Sequence, residues 1–535
     1  MNRQKIAIWC VIVGAFTLLA GMLIGIFMQR SAITTRYIPF TRGDKLTWTM
    51  SLLENKYVDT LAHDTLVEKM IPLVLSTLDP HSIYIPKEDF AEANEPLTGH
   101  FDGIGVVFNM MSDTVSIINV IAGGPSDKVG IIPGDRIITV NDSIIAGRKI
   151  DQNAVVKMLR GERGTKVNLG IERNHAPELI PITVTRGVIP MKSMEAALMI
   201  EGDIGFIKFS RFASTTYKEV SEALQLLTGQ GAKKIILDLR GNSGGYLDQA
   251  IYIANEFLPA GKMIVYTEGI HSPRNDQFAD GRGRFQDIPL TILIDEGSAS
   301  ASEIVAGAIQ DNDRGIIVGR RSFGKGLVQE QFPYSDGSAA RITVARYYTP
   351  IGRSIQKPYT VGDATSYNME LTARVEHQEL FNADSIKQNE SERFVTPSGK
   401  IVYGGGGIMP DIFVPYDTVT FNTAFYRRLV SKNMIIKYAN SFTDTNREKI
   451  NSIKTFDELN KFFAGRNMYG ELVAYARKNG VEPDPADAER DRSVIVPLLK
   501  GYIGRNTNLE DNAFYYYFYP LDQEILRSIE TFLVQ

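Results

Sequence analysis

Apolar residues in the first part of the chain recur at steps of three and four, which is the period of an amphipathic helix. Between residues 44 and 78 they are Leu46, Met50, Leu53, Tyr57, Leu66, Met70 and Leu73. The pattern predicts two N-terminal helices. Leu78-Asp79-Pro80-His81-Ser82 ends the second one.

The pattern then changes twice. Residues 97–188 contain short β-rich runs at 105–108, 115–118 and 136–140, which glycine-rich turns and one helix at 151–159 interrupt. From Gly202 onward, continuous apolar runs at 204–207, 235–239 and 290–294 alternate with helical patterns at 216–227 and 247–257. Buried parallel strands with crossover helices have this pattern, so residues 189–415 are predicted to form an α/β core that follows a mainly-β domain.

Two further regions complete this division. Residues 359–400 are polar and poorly periodic, which predicts a long surface loop or insertion within the core. Residues 416–535 are predicted to form a mostly helical C-terminal extension. Its last helix, 522–534, carries an apolar face of Ile525, Leu526, Ile529, Phe532 and Leu533.

An uncharged stretch runs from Ile6 to Met28, preceded by Arg3 and Lys5. As a helix it would cross about 30 Å of hydrocarbon, so residues 1–30 are predicted to be a cytoplasmic tip and one transmembrane helix. Residues 31–96 are predicted to be the N-terminal helical segment. Arg3 and Lys5, which precede the anchor, predict that everything after the anchor lies outside the cytoplasm. A cleaved signal peptide is the alternative.

Composition narrows the classes of partner. The 535 residues carry a formal net charge of −4 and are 44% hydrophobic, which suits several packed domains and gives no electrostatic footprint for nucleic acid. Cys10 is the only cysteine, so neither an intrachain disulfide nor a cysteine metal cluster is expected. We expect no cofactor and no metal.

Candidate chemistry centres on Ser300 and Lys325. A buried neutral lysine can accept the proton of a serine hydroxyl, which makes a nucleophile without histidine, and the six histidines lie outside both glycine-rich segments. Ser300 precedes a helix whose dipole and free amides would help an alkoxide and its oxyanion. Each residue also has a non-catalytic explanation. Ser300 and Glu303 fit a helix capping box, and Lys325, taken by itself, fits a solvated surface lysine.

Other residues could complete such a site. Gln329 lies on the same face of the chain as Lys325 and could orient the lysine. Asp238 to Gly245 follow a buried strand, where glycine amides could stabilise an oxyanion together with the Ala301 amide, although a tight strand-to-helix turn explains them too. Residues 319–325 match seven positions of a phosphate-binding P-loop, but Gly326 replaces the required Ser or Thr, which argues against nucleotide binding.

The mainly-β region looks like a PDZ domain with permuted strand order. The phrases that carry this likeness are Gly123-Gly124-Pro125-Ser126 and Gly130-Ile131-Ile132-Pro133-Gly134-Asp135. In such a domain Gly103-Ile104-Gly105-Val106 would hold a peptide carboxylate through backbone amides, while the following strand adds the peptide to a sheet edge. A glycine turn before an ordinary hairpin is the alternative.

Together these motifs resemble the carboxyl-terminal processing, or tail-specific, serine proteases, in order from about Lys45 to Asp411. The motifs are Leu78 to Ser82, the PDZ phrases, Asp238 to Gly245, Ser298 to Glu303, Phe323 to Gly326, Tyr348 to Gln356 and Gly406 to Asp411. The resemblance implies a ClpP/crotonase-like core with Ser300 as nucleophile, Lys325 as general base and Gln329 positioning the lysine. It implies an oxyanion hole near the Gly244 and Ala301 amides.

The resemblance also implies that the PDZ domain captures substrate C-termini and switches the active site, with Arg160 at a position suspected of this coupling; a solvated helix-end arginine is the alternative. The sequence thus predicts a membrane-anchored serine endopeptidase of the bacterial envelope, with its catalytic part in the periplasm. The alternative is a catalytically silent PDZ scaffold. Expected partners are protein or peptide substrates and the membrane, and homo-oligomerisation, adaptor docking and cage formation stay open for the C-terminal extension.

Overall fold

The computed structural model describes residue 22 and residues 45–111, 113–173 and 178–534. Apart from Met22, the predicted anchor from Ile6 to Met28 lies outside the described residues. Within the described part of the chain, no helix combines the length and apolar character that a bilayer span requires. The chain divides into two compact units, Met1–Ile71 and Pro72–Gln535. The two predicted N-terminal helices are confirmed as α1 (Lys45–Lys56) and α2 (His63–Leu75).

The β-rich region is an antiparallel sheet of order β3-β4-β5-β7-β8, with β6 paired to β5. Its side chains pack as alternation predicts, with Ile117, Ile137, Val167 and Ile171 buried beneath helix α5. The segments that enter and leave the region pair with each other as β2 and β9. The strands are β2 (His100–Gly103), β3 (Val106–Met111), β4 (Thr114–Val120), β5 (Arg136–Val140), β6 (Ser143–Ile144), β7 (Lys166–Glu172), β8 (Ile180–Thr185) and β9 (Gly187–Pro190), and the helices before and within it are α3 (Lys87–Thr98), α4 (Pro125–Lys128) and α5 (Gln152–Leu159).

The predicted α/β core is confirmed as a sheet of order β10-β11-β12-β15-β16-β21, in which all neighbours except β10 and β11 run parallel. Residues on both faces of β12 and β15 are buried, which explains their continuous apolar runs. The strands are β10 (Met194–Met199), β11 (Ile204–Phe209), β12 (Lys234–Asp238), β15 (Leu290–Ile294), β16 (Ile316–Gly319) and β21 (Ile412–Phe413), and the helices are α6 (Thr216–Gly229), α7 (Leu247–Phe257) and α8 (Ala301–Asp311).

A second sheet lies beside this core, with order β1-β18-β13-β14 and with β17 on the other edge of β18. Strand β18 is central in this sheet. It pairs with β1, which follows Ser82, and with β17, which follows Lys325. The strands are β1 (Ile83–Ile85), β13 (Met263–Gly269), β14 (Ser272–Phe278), β17 (Leu327–Pro333) and β18 (Ala339–Tyr348).

The polar segment 359–400 is more regular than the predicted loop. It contains helix α9 (Ala364–Glu376) and strand β19 (Arg393–Val395), which forms a hairpin with β20 (Ile401–Tyr403) just beyond the segment. Helix α9 buries Tyr367 and Arg374, which are polar, so its sequence lacks the apolar period by which helices are recognised.

The C-terminal region is helical, as predicted, and its last helix covers the face of the core sheet opposite α7 and α8. Ile525, Ile529 and Phe532 pack there against Phe206 and neighbouring strand residues. The prediction was wrong for Leu533, which is 78% exposed, because the buried face turns away one residue after Phe532. The helices are α10 (Ala424–Ser431), α11 (Met434–Thr445), α12 (Arg447–Ser452), α13 (Phe456–Phe463), α14 (Met468–Lys478), α15 (Ala488–Gly504), α16 (Asp511–Phe518) and α17 (Gln523–Val534).

Candidate active site

Ser300 lies between β15 and α8, immediately before the first residue of a helix that is buried along its whole length. Its backbone has φ 55° and ψ −113°, a left-handed conformation that residues other than glycine rarely adopt. Strain of this kind persists only where the surroundings hold it, and it concentrates at functional sites. The turn therefore presents Ser300 at the positive end of the α8 dipole.

Glu303 joins the serine segment to the lysine segment. Its fully buried carboxylate accepts hydrogen bonds from the Ser300 amide at 2.8 Å and from the Lys325 amide at 2.9 Å. It also accepts from the Gly324 amide at 2.7 Å and from Ser322 Oγ at 2.5 Å. One carboxylate thus holds the backbones of both candidate catalytic residues.

Tyr347 makes a second link between the same two segments. Its hydroxyl lies 2.6 Å from the Lys325 carbonyl oxygen and 3.1 Å from the Ser300 carbonyl oxygen, and its side chain is 1% exposed. The Phe323 amide adds a bond to the Ser298 carbonyl at 2.9 Å. Ser300 and Lys325, 25 residues apart in sequence, are therefore neighbours in the fold.

The surroundings of Lys325 favour its neutral form. Burial lowers the pKa of Lys325 and the charge of Arg341 lowers it further, whereas Glu303 and Asp79 raise it by less. Burial also raises the pKa of Glu303 to about 7, in spite of the hydrogen bonds that the carboxylate accepts. A lysine with a lowered pKa can act as a base near neutral pH.

The predicted oxyanion residues lie beside Ser300. A Cβ atom at Gly244 would lie 2.8 Å from Ser300 Cβ and 2.9 Å from the Ala301 nitrogen, so this glycine packs directly on the serine turn. The Gly244 amide donates to Asn242 Oδ1 at 3.0 Å. Within the described chain no acceptor is recorded for the Ala301 amide, which leaves it available to an oxyanion.

Asp238 and Arg240, which precede these glycines, belong to a buried charge network. Burial would raise the pKa of Asp238, but the charges of Arg240 and Lys208 outweigh it and lower this pKa to about 2. Arg240 also binds Asp522 and Glu524, at the start of α17, and Arg320 binds Glu524 as well. The C-terminal helix is thus tied to the segment that carries the candidate oxyanion residues.

Gln329 lies on β17 opposite Thr343, to whose hydroxyl its Nε2 donates at 3.3 Å. Among the described residues no hydrogen bond joins Gln329 to Lys325. Lys325 lies two residues before the start of β17 and Gln329 is the third residue of that strand, so the structure places them on one segment without a hydrogen bond between their side chains.

The predicted peptide loop of the PDZ-like sheet is largely buried. The carbonyls of Ile104 and Gly105 accept the amides of Ser126 and Ile121, both at 3.0 Å, and Gly103 and Val106 continue into strands β2 and β3. In the part of the chain that the structure covers, the Ile104 and Gly105 amides have no recorded acceptor. Strand β3 is an edge of its sheet, so a further strand could pair with it.

Arg160 ends helix α5 and reaches out of the sheet region. Its guanidinium lies 2.5 Å from Glu95 on α3 and 4.3 Å above the Phe101 ring. Burial raises the pKa of Glu95, while Arg160 opposes this rise. The arginine therefore links the peptide-binding region to the helix that leads into it.

Sequence reasoning missed several residues that the structure brings to the site. From the sequence, Glu303 was expected only to cap a helix. Tyr347 gave no local signal, because it lies 22 residues beyond Lys325 and contacts the lysine segment only in the folded sheet. His81 has its pKa lowered to about 4, mainly by burial and next by the charge of Lys325, so the turn at 78–82 lies near the lysine. Among the described residues, no cluster of potential ligands has metal-binding geometry.

Comparisons with known proteins show which family the sequence resembles. The chain matches peptidase family S41 over residues 203–366, a PDZ domain over 103–184 and a family of unknown function over 425–507. It is 34% identical to the carboxy-terminal processing protease CtpA of Bacillus subtilis, in a match that covers 67% of this chain and 76% of that protein. It is 35% identical to the carboxyl-terminal-processing protease of Synechocystis sp., over 67% and 87% of the two chains.

Among solved structures, the photosystem II D1 C-terminal processing protease shares 28% identity, with 58% of this chain and 83% of that one covered and a TM-score of 0.34. The two sequence relatives alone are sufficient to assign the family, because the match spans more than two thirds of the length of each of these two proteases. The chain therefore belongs to the carboxy-terminal processing proteases of peptidase family S41, and it is a serine peptidase with a PDZ domain.

Proposed function

We propose that this peptidase captures the C-termini of unfolded or apolar protein substrates on its PDZ domain and cleaves them through an acyl-enzyme at Ser300. Lys325 removes the serine proton, Gln329 orients the lysine, and the Ala301 amide with glycine amides near Gly244 stabilises the oxyanion. The observation that carries the proposal is the Glu303 carboxylate, which holds the Ser300 and Lys325 backbones together.

Two features support capture by the PDZ domain. The Ile104 and Gly105 amides are available to a carboxylate, and the edge strand β3 is available for pairing with an extended peptide. A fluorescent peptide with an apolar C-terminus is expected to bind the protein when its carboxylate is free. The same peptide with an amidated C-terminus is expected to bind at least about tenfold more weakly, since it lacks the charge that the amides recognise.

We further propose that residues 6–28 anchor the protein in the cytoplasmic membrane of the bacterial envelope, with the peptidase on the outer side. The length and uncharged character of this stretch support the proposal. The protein is then expected to stay with membranes after carbonate extraction and to be cleaved by protease added to spheroplasts. Release by carbonate would contradict the anchor.

Cleavage of fluorescently labelled β-casein, an unfolded protein, tests the catalytic proposal. The full-length protein is compared with Ser300→Ala and Lys325→Ala, and circular dichroism checks that both variants fold. Loss of cleavage in both folded variants is the expected result. Equal cleavage by all three proteins would place the chemistry elsewhere.

A further inference from the structure

The turn at residues 79–82 accepts two hydrogen bonds from Thr343 on strand β18. The Thr343 amide donates to Ser82 Oγ at 3.1 Å, and the Thr343 hydroxyl donates to Asp79 Oδ1 at 2.9 Å. Asp79 is itself held by Ser82 Oγ at 2.6 Å and by the His81 amide at 2.9 Å. Both the backbone and the hydroxyl of Thr343 are therefore fixed by this one turn.

Thr343 in turn meets Gln329 because of an irregularity in strand pairing. Val328 pairs with Ala345, but the next residue, Gln329, pairs with Thr343, so Val344 is skipped. This β-bulge moves Gln329 from the position opposite Val344 to the position opposite the threonine hydroxyl. The contact that results is the 3.3 Å hydrogen bond from Gln329 Nε2 to Thr343 Oγ1.

The direction of these hydrogen bonds follows from the ionisation state of Asp79, which accepts the last of them. Burial would raise the pKa of Asp79, but the hydrogen bonds from Ser82, His81 and Thr343 outweigh it and lower this pKa, so the group is ionised at neutral pH. An ionised carboxylate can only accept, so the single proton of the Thr343 hydroxyl points to Asp79. The hydroxyl can then only accept from Gln329, which must present its NH2 group to the threonine and turn its Oε1 atom away.

We propose that Asp79 and Thr343 are positioning residues that set the polarity of the Gln329 amide, so that its Oε1 rather than its Nε2 faces Lys325. This inference rests on the Ser-Lys mechanism proposed above. Oε1 accepts an N–H from the neutral lysine and leaves the lysine lone pair for the Ser300 proton. A reversed amide would donate to that lone pair and compete with Ser300.

The pH dependence of the reaction separates a reoriented amide from a site that has opened to water. The charged or titratable groups around Lys325 include Arg341, Glu303, Asp79 and His81, together with Tyr347, whose hydroxyl lies 2.6 Å from the Lys325 carbonyl oxygen. Replacing Asp79 by Asn removes a charge that raises the pKa of Lys325, and a reversed amide lowers this pKa further. A site that is merely loosened admits water instead, which weakens the effect of burial and raises the pKa.

The test measures how fast a fluorophosphonate probe labels Ser300 between about pH 6 and pH 11, in the full-length protein. Thr343→Ser keeps the hydroxyl and is expected to match the wild type. Thr343→Val is expected to lower the plateau rate about tenfold or more, since base catalysis depends on the orientation of the lysine. In Asp79→Asn the new amide donates to the Thr343 hydroxyl, which reverses the direction of the hydrogen bonds between residue 79 and Gln329. We therefore expect at least the same loss of plateau rate, together with a midpoint at lower pH.

A second series separates this role from a purely structural one. In a Gln329→Leu background there is no amide to orient, so Thr343→Val and Asp79→Asn are expected to cause no further loss of plateau rate. Wild-type plateaus in both single variants would overturn the inference. So would a fall in rate with the midpoint at higher pH, or an equal further loss when either change is added to Gln329→Leu. Undiminished labelling in Ser300→Ala or Lys325→Ala would instead overturn the Ser-Lys mechanism, and the inference with it.

Discussion

Replacing Glu303 by Gln is expected to abolish most of the activity while lowering the unfolding free energy by no more than about 3 kcal/mol. Glu303 accepts four hydrogen bonds, from the Ser300, Gly324 and Lys325 amides and from Ser322 Oγ. The carboxamide oxygen of Gln can accept about two of these, so about two donors would face its NH2 group. A buried donor without an acceptor costs about 1–3 kcal/mol, or about 2–6 kcal/mol for two.

This cost is offset in the global stability by a second effect. Burial raises the pKa of Glu303 from 4.5 to about 7, so keeping it ionised in the folded protein costs about 3 kcal/mol above pH 7. The favourable contribution of this group is complete below pH 4.5 and is lost as the pH rises through 7. Gln never ionises, so the variant avoids this cost, and the net change in unfolding free energy should stay within about 3 kcal/mol.

Activity has no such compensation, because the lost hydrogen bonds are those that hold Ser300 and Lys325 together. A displacement favoured by about 2 kcal/mol leaves about one molecule in thirty in the working arrangement. We therefore expect casein cleavage to fall about thirtyfold or more, while urea unfolding monitored by circular dichroism at about pH 8 shows a free energy lowered by no more than about 3 kcal/mol. Glu330→Gln, the same change at an exposed position of β17, is the matched control. Cleavage by Glu303→Gln within about threefold of the control would refute this reasoning.

Three further results are expected. Gly244→Ala should lower activity at least about a hundredfold with the protein still folded, since the new methyl group would lie 2.8 Å from Ser300 Cβ and 2.9 Å from the Ala301 nitrogen. It would displace the Ala301 amide, and an oxyanion donor of this kind contributes about 3–4 kcal/mol; casein cleavage measures the loss. Arg240→Gln should lower the unfolding free energy by about 3–5 kcal/mol because it removes the guanidinium shared by three buried carboxylates and leaves Asp238 with Lys208 as its counterion, and an unchanged urea midpoint would contradict this. The labelling rate of Ser300 should rise with pH to a midpoint below the ordinary lysine value of about 10.4, since burial lowers the pKa of Lys325 and only the neutral amine accepts a proton; a midpoint at or above that value would be inconsistent with a buried base.

The sequence was sufficient for the parts of the fold in which hydrophobicity decides the structure. The parallel strands 234–238 and 290–294 and helix 247–257 followed from apolar runs and period, because both faces of each strand are buried. Helix 364–376 did not follow, because it packs through Tyr367 and Arg374, whose burial depends on partners far away in sequence.

The site shows the same division. Ser300 and Lys325 stand in glycine-rich motifs, so local sequence singled them out. Tyr347 and Thr343 lie inside an ordinary strand, and only the pairing of β17 with β18, including its bulge, brings them to the lysine and to Gln329. Hydrophobic alternation and turn geometry set the register of such a hairpin, but alternation alone does not give the position of the bulge between Val328 and Gln329.

The ion pairs between Arg240, Arg320 and the start of α17 have a consequence for the order of events during synthesis. Asp522 and Glu524 leave the ribosome more than two hundred residues after Ser300, so until then both arginines lack these carboxylate partners. Among the residues that the structure describes, Arg240 and Arg320 then have only Asp238 and Glu296 as carboxylate partners, and Arg240 adjoins the glycines beside Ser300. The charge network beside the glycines that adjoin Ser300 is therefore completed only after the last helix has been synthesised and has docked.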